Sequence, residues 1–260
     1  MTTRRKFGLG IAAIIAAQRA PAALVRSLVA GRQIAATGTR LPYDAEVEYL
    51  ESTGTQYIDT GLKTYTTSTS ADLKFVRYKG RLSPTAVPSD RYLHGNNNWG
   101  FWGVNSSRKW VYRTGGYGSW VVGGIYDIEV EFGSAGYMKI DGTILTSAAN
   151  VGGVANYYGI GLFCIGNSGG TVTGSFAGSW RIYRMEVVSM GERRDFIPVR
   201  FTNEYGTSEG ALFDRANPTV GMNPDGSPRT DGLYRNRGTD AFVTGSVKAR
   251  GASGQNGGGV

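Results

Sequence analysis

From Tyr43 onward the chain alternates apolar and polar residues. EVEYLE (Glu46–Glu51) sets Val47 and Tyr49 against Glu46, Glu48 and Leu50, and SADLKFVRY (Ser70–Tyr78) repeats the pattern. WGFWGV, KWVYR, SWVVG, YDIEVEF, YMKIDGTIL, GIGLFCIG and SWRIYRMEVV continue it, separated by clusters of Gly, Asn, Ser and Asp. Period two puts successive side chains on opposite faces, so these runs read as half-buried β-strands. No amphipathic helical period occurs after Leu41. Many short strands spaced by about ten residues predict an all-β, antiparallel, jelly-roll-like β-sandwich.

Two stretches carry local turn chemistry. Asp141-Gly142, between YMKI and TILT, predicts a type I′ hairpin, whose central residues both need positive φ. In EYLESTGTQYIDTG (Glu48–Gly61), Ser52–Thr55 breaks the alternation. It predicts the turn of an opening hairpin packed through Tyr49, Tyr57 and Ile58.

The two ends depart from this rhythm. Residues 1–42 form an apolar segment with a basic start, Arg4-Arg5-Lys6, and a small-residue site at Ala20-Pro21-Ala22. Thr3-Arg4-Arg5-Lys6-Phe7 resembles the twin-arginine export motif, so the segment is a secretory leader; the alternative is a retained helical docking segment. Its apolar stretch, Phe7–Ala17, is too short to span a bilayer as a mature helix. At the other end, residues 201–245 are rich in Asn, Asp, Gly and Pro. They predict a loop-rich extension ending in a small hairpin, Leu233-Tyr234 against Ala241–Val243. Residues 246–260 offer almost nothing to bury and read as a flexible tail.

Composition sharpens this picture. The chain has 40 glycines with 15 Tyr, 10 Phe and 5 Trp, which suits strands joined by tight turns. Its net charge of +8 looks like a nucleic-acid footprint. However, seven of the 28 basic residues lie before Asp44, where there is no acid, leaving 21 bases against 20 acids beyond it. Nucleic acid is therefore not an expected partner, and any membrane contact falls to the N-terminal segment. The single Cys164, in the apolar run LFCI, excludes an intrachain disulfide and reads as a buried small hydrophobe.

YDIEVEFGSAGYMKIDGTIL followed by GSFAGSWRIYRMEVVSMGERRDFIPV resembles the second half of a concanavalin A-like, laminin-G/pentraxin-type sandwich. EYLESTGTQYIDTG resembles the opening hairpin of such modules in surface proteins of gut bacteria and structural proteins of their phages. The resemblance covers residues 43–200 and implies a fold rather than an activity.

Enzymes of this sandwich cleave polysaccharides with carboxylates two residues apart on one strand. Asp127, Glu129 and Glu131 have that spacing but not the family order Glu-x-Asp-x-(x)-Glu. Ile128, Val130 and Phe132 make a clean apolar face, which leaves these acids as the solvated side. His94, the only histidine, lacks a nucleophile elbow, and one Cys with one His supports no zinc site. No cofactor is expected. Calcium has one candidate loop at Asp225, Ser227 and Asp231, whose oxygens equally suit Asx turns.

The signal most like a binding site is aromatic. Four of the five tryptophans fall between Trp99 and Trp120. The candidate ligand-binding residues are Asn96, Asn97, Asn98, Trp99, Trp102, Trp110, Tyr117 and Trp120. Sugar rings stack their C–H faces on such side chains while amides bond the hydroxyls; the alternative is that the rings fill the core. The expectation is a non-catalytic recognition or adhesion module for glycan or a surface protein, secreted, at the cell surface or on a virion. The alternatives are a structural building block docking through its N-terminal helix, with room for an oligomer, and thirdly a polysaccharide hydrolase.

Overall fold

A computed structural model of the protein describes residues 41–63, 76–86, 91–96, 102–112, 115–132, 135–149, 159–166, 172 and 178–249. The N-terminal leader or docking segment up to Arg40 and the tail from Arg250 lie outside the described residues. Within them the chain is all-β, with no helix.

The strands in chain order begin with β1 (Ala45–Glu46), β2 (Leu50–Thr53), β3 (Ile58–Lys63), β4 (Val76–Pro84) and β5 (Arg91–Asn96). Next come β6 (Trp102–Val104), β7 (Trp110–Tyr112), β8 (Gly115–Tyr117), β9 (Tyr126–Phe132) and β10 (Ala135–Ile140). After these stand β11 (Thr143–Ala149), β12 (Gly159–Leu162), β13 (Cys164–Gly166), β14 (Ser179–Ser189) and β15 (Glu192–Thr202). The last are β16 (Ser208–Asp214), β17 (Gly221–Met222), β18 (Pro228–Arg229), β19 (Leu233–Tyr234) and β20 (Val243–Thr244).

A 13-stranded sheet runs β11-β10-β9-β4-β14-β15-β16-β19-β17-β18, with β1 on β15 and β2 between β14 and β20. A five-stranded sheet runs β13-β5-β6-β7-β8, and β12 pairs β3 in a third. One apolar core joins them. It takes Tyr78, Val130, Trp180, Ile182, Met185 and Val187 from the large sheet, Ile58, Leu62 and Ile160 from the pair, and Leu93, Val104, Trp110 and Tyr112 from the five-stranded sheet. Period two explains why: YDIEVEF buries Ile128, Val130 and Phe132 while Asp127, Glu129 and Glu131 stay on the outer face.

The Asp141-Gly142 hairpin forms as its sequence predicts. Ile140 faces Thr143 in register, with φ of 48° at Asp141 and 81° at Gly142. The same geometry recurs unannounced between β14 and β15, where Met190 has φ 53° and Gly191 φ 83°. Met190 is 44% exposed, so it occupies a left-handed position without packing benefit. Three other expectations give way. EYLESTGTQYIDTG is not a hairpin, because β2 pairs β14 and β20 whereas β3 pairs β12. The Ser52–Gln56 turn instead carries the chain from one sheet to another.

That crossing is organised by Gln56, which is 1% exposed. Its Oε1 accepts from the Thr53 N–H at 2.8 Å and the Ser52 hydroxyl at 3.2 Å. Its Nε2 donates to Thr53 Oγ1 at 3.1 Å and to the Ala241 carbonyl at 3.0 Å. The side chain thus supplies the partners that neighbouring strands would otherwise give to a buried turn.

The hairpin of Leu233-Tyr234 with Ala241–Val243 does not form either. Leu233 and Tyr234 pair with Phe213 and Leu212, and Val243 pairs with Glu51. Gly210 through Asp214 are all buried, since β15 and β16 bury both faces. Phe196 and Leu212 enter the main core, while Ile197, Val199, Ala211 and Phe213 fill a second cluster with Tyr43 and Leu233. A strand buried on both sides shows no alternation, which hides it from period-two reading. Nor is Ser246–Lys248 a free tail. The Glu48 N–H donates to Ser246 O at 2.8 Å, and the Lys248 N–H donates to Glu46 O at 3.0 Å.

Two outcomes follow for stability. Gln56→Leu leaves buried backbone and hydroxyl groups unpaired and lowers the unfolding free energy by about 2–3 kcal/mol in urea titrations. Met190→Asn, a residue that tolerates positive φ, raises it by about 0.5–1 kcal/mol with an unchanged denaturant slope.

Candidate ligand-binding site

Of the residues singled out as ligand-binding, Asn96, Trp102, Trp110 and Tyr117 lie on strands of the five-stranded sheet, and Trp120 follows β8. In β5 and β6, His94 faces Trp102; in β6 and β7, Trp102 faces Tyr112; in β7 and β8, Trp110 faces Tyr117. Asn96 ends β5 and Trp102 begins β6, so both stand at one end of the sheet. The chain between them is Asn97-Asn98-Trp99-Gly100-Phe101. Asn97, Asn98 and Trp99 lie outside the described residues.

The remaining three candidates pack inward. Trp110 is fully buried and Trp120 is 2% exposed. Trp110 meets the Tyr126 ring edge-on at 5.0 Å and tilts against Trp180 at 6.3 Å. These are contacts between sheets, and a ring enclosed by other rings offers no face to a ligand. Tyr117 is half-buried against the core, with its hydroxyl turned back over Gly115. Trp110 and Trp120 are therefore core residues, which corrects their assignment to the ligand. The physical reason is that the short strand Trp110-Val111-Tyr112 must cover the apolar face of the larger sheet. Tyr112 does the same work, stacking on Phe132 at 5.1 Å and donating to the Glu131 carbonyl at 2.8 Å.

The carboxylates of β9 sit where their pattern puts them, on the outer face of the large sheet. Cross-strand register sets Glu129 between Lys139 and Lys79, and Glu131 between Tyr137 and Arg77. The Tyr137 hydroxyl donates to Glu129, and Lys139 Nζ lies 3.4 Å from it. The Tyr137 bond holds the Glu129 carboxyl below the usual range, with Lys139 adding to it. Glu131 goes the other way: burial raises it more than Arg77 lowers it, and the Glu129 charge raises it further. Tyr137 itself is pushed up to about 12 by burial and by Glu129.

Beside these acids lies a cleft of about 320 Å³ lined by Lys79, Asp127, Glu129, Lys139 and Arg184. Every acid lining it has a cation within reach, since Asp127 stands 3.7 Å from Arg184. Across β14 and β15 the ladder continues with Arg77–Glu186 at 3.4 Å and Arg193–Glu186 at 2.7 Å. Opposite charges at neighbouring strand positions are the usual way an exposed sheet face is stabilised. The sequence reading saw the solvated acids but not their cationic partners, which come from strands far apart in the chain.

The Asp225–Asp231 loop is committed to its own turns. Asp225 Oδ1 accepts from the Ser227 N–H at 2.8 Å and the Ser227 hydroxyl at 2.6 Å, which holds its carboxyl below the usual range. Asp231 takes Arg229 Nε at 2.9 Å, and Arg229 Nη1 donates to Asn223 Oδ1 at 2.7 Å. A guanidinium is already the cation these oxygens hold. Among the described residues, no group of three or more His, Cys, Asp or Glu side chains could hold a metal ion. Cys164 is fully buried, and burial drives its thiol pKa well up, which leaves it unreactive.

Tyr137→Phe removes the donor that lowers Glu129. Because the depressed carboxyl contributes stability above its unfolded pKa and loses it on acidification, the variant loses about 1 kcal/mol at neutral pH. Wild type and variant converge below the Glu129 pKa, and carboxyl NMR titration shows Glu129 moving upward toward its ordinary value. Glu131, raised in the fold, contributes with the opposite sign: it favours folding increasingly as pH falls.

Comparison with protein families, with curated proteins and with solved structures gave no match for this chain.

Proposed function

We propose that the chain is a non-catalytic recognition module of the concanavalin A-like kind, which binds glycan from an exported or virion-exposed position. The observation supporting this reading is the placement of Asn96 and Trp102 on paired strands at one end of the five-stranded sheet. The segment joining them, Asn97–Phe101, is where amides and aromatic rings concentrate. Trp99 and Trp102 stack on the apolar C–H face of a sugar ring, and Asn96, Asn97 and Asn98 bond its hydroxyls. Loops held by a rigid sheet are the usual place for such contacts.

The β9 acids run Asp127-x-Glu129-x-Glu131 rather than in the glucanase order Glu-x-Asp-x-(x)-Glu, which supports binding over hydrolysis. A general acid must carry a proton near neutral pH, and Glu129 does not fit that role because Tyr137 and Lys139 favour its ionised form.

Glycan-array binding with titration calorimetry on the best hit tests the reading. Trp102→Ala and Trp99→Ala each weaken the hit by about tenfold or more while the far-UV spectrum is unchanged. Binding that survives both substitutions overturns the assignment of this segment.

The burial of Trp110 and Trp120 favours a second reading, a structural building block whose aromatics serve packing and whose residues 1–42 dock to a neighbouring subunit. N-terminal sequencing of the native protein separates the two, because a mature chain beginning at Met1 or Thr2 fits docking and cleavage near Ala22 fits export.

A further inference from the structure

The large sheet ends on two unlike strands. At one end is β18, two residues long, in which Pro228 has no N–H to offer and Arg229 adds charge. Short length, proline and charge are the common ways of closing a sheet edge. At the other end is β11, Thr143-Ile144-Leu145-Thr146-Ser147-Ala148-Ala149, which among the described residues pairs with β10 alone. It is the longest strand among the described residues that is paired on one side alone, and it has no charged residue and no proline. One device resists pairing: the register with β10 jumps from Thr146 to Ile144, making Leu145 a bulge. Thr146–Ala149 beyond it stay in regular register.

The surface beside this edge is apolar as well. Ile144 is 59% exposed, Val121 57%, Val122 46% and Ile125 45%. They share one corner of the molecule. Leu145 lies against Gly118, three residues before Val121, and the Asp127 N–H, just past Ile125, donates to Asp141 Oδ1 at 2.8 Å beside the β11 turn.

We propose that β11 is a self-association strand, through which two copies of the chain pair antiparallel into one continuous sheet. The occupant is a second copy because the edge is complementary to itself. A twofold axis sets the strand against its own reversed copy, and because β11 carries no charge, no register of that pair buries an unmatched charge. Antiparallel pairing also brings the bulky half of each strand, Ile144 and Leu145, toward the small half of the other, Ser147–Ala149. The exposed valines of the corner extend the apolar contact past the ladder, as a polar-rimmed interface with a central apolar strip requires. The inference is independent of what the Asn96–Trp102 segment binds.

Sedimentation velocity on the full chain across micromolar to hundred-micromolar concentrations tests it, with amide hydrogen exchange reporting location. The wild type dimerises with concentration, and amides of Thr146–Ala149 exchange more slowly in the dimer. Ile144→Lys, at a position already in solvent, and Ser147→Lys each weaken the dimer by about tenfold or more. Val220→Lys, exposed elsewhere, leaves it unchanged. If Ile144→Lys loses its native circular dichroism, the exposed Ser147→Lys decides. A wild type that stays monomeric throughout overturns the proposal. So does a dimer that ignores the folded lysine variants, since it is then held elsewhere, as by residues 1–42.

Discussion

The contact on which the layered arrangement depends is the burial of Trp110 between Tyr126 and Trp180. Trp110 belongs to the five-stranded sheet, and both of its ring partners belong to the large one. Removing an indole of this size from water stabilises by about 5 kcal/mol on area grounds, with edge-to-face geometry adding to it. Its N–H has no hydrogen-bond acceptor among the described residues, so the ring serves by its area and shape. Three-residue strands such as β6, β7 and β8 make few ladder bonds. They stay in place because Trp110, Tyr112 and Val104 are held against the larger sheet.

A second constraint is the position of β14. One long strand pairs β4 along its length on one side, and on the other side β2 along its first half and β15 along its second. Its core side is carried by Trp180, Ile182, Met185 and Val187, all fully buried, and the alternation changes phase at the bulge between Ile182 and Arg184. Guanidinium clamps fix the C-terminal segment onto this frame. Arg237 meets Asp59 at 2.6 Å and Arg235 meets Glu209 at 3.1 Å while covering the Phe201 ring at 5.1 Å. Paired charges like these add little net stability when buried, but losing one partner is costly, so they specify how the loops lie.

These constraints bear on function by removing candidates. Aromatic rings that join the sheets are not available to a ligand, and the Glu129 carboxylate is tied to Tyr137 and Lys139. The proposed recognition segment lies between β5 and β6 in the chain, and the proposed assembly edge is the uncharged β11.

The alternation of YDIEVEF was enough to give the strand, its buried face and its solvated acids, because a half-buried strand writes its orientation into every second residue; SWRIYRMEVV gave its strand but not the change of phase at the bulge between Ile182 and Arg184. The Asp141-Gly142 turn was equally legible, since two positive φ angles restrict the residue choice. Met190-Gly191 was not, because methionine is an unfavoured occupant that the flanking strands impose. GALFD was misread because a strand buried on both faces has no period. The candidate site was legible only as a cluster of rings, since proximity in the chain says nothing about which sheet face a ring takes. By itself, then, the sequence determined the all-β class, most strand faces and one turn, all of which are set by neighbours along the chain. The tertiary structure decided that Ser52–Gln56 crosses between sheets, that Leu233 joins Phe213 rather than Val243, and that Trp110 and Trp120 face inward. Those outcomes depend on pairings between residues tens to hundreds of positions apart, for which the chain carries no local signal.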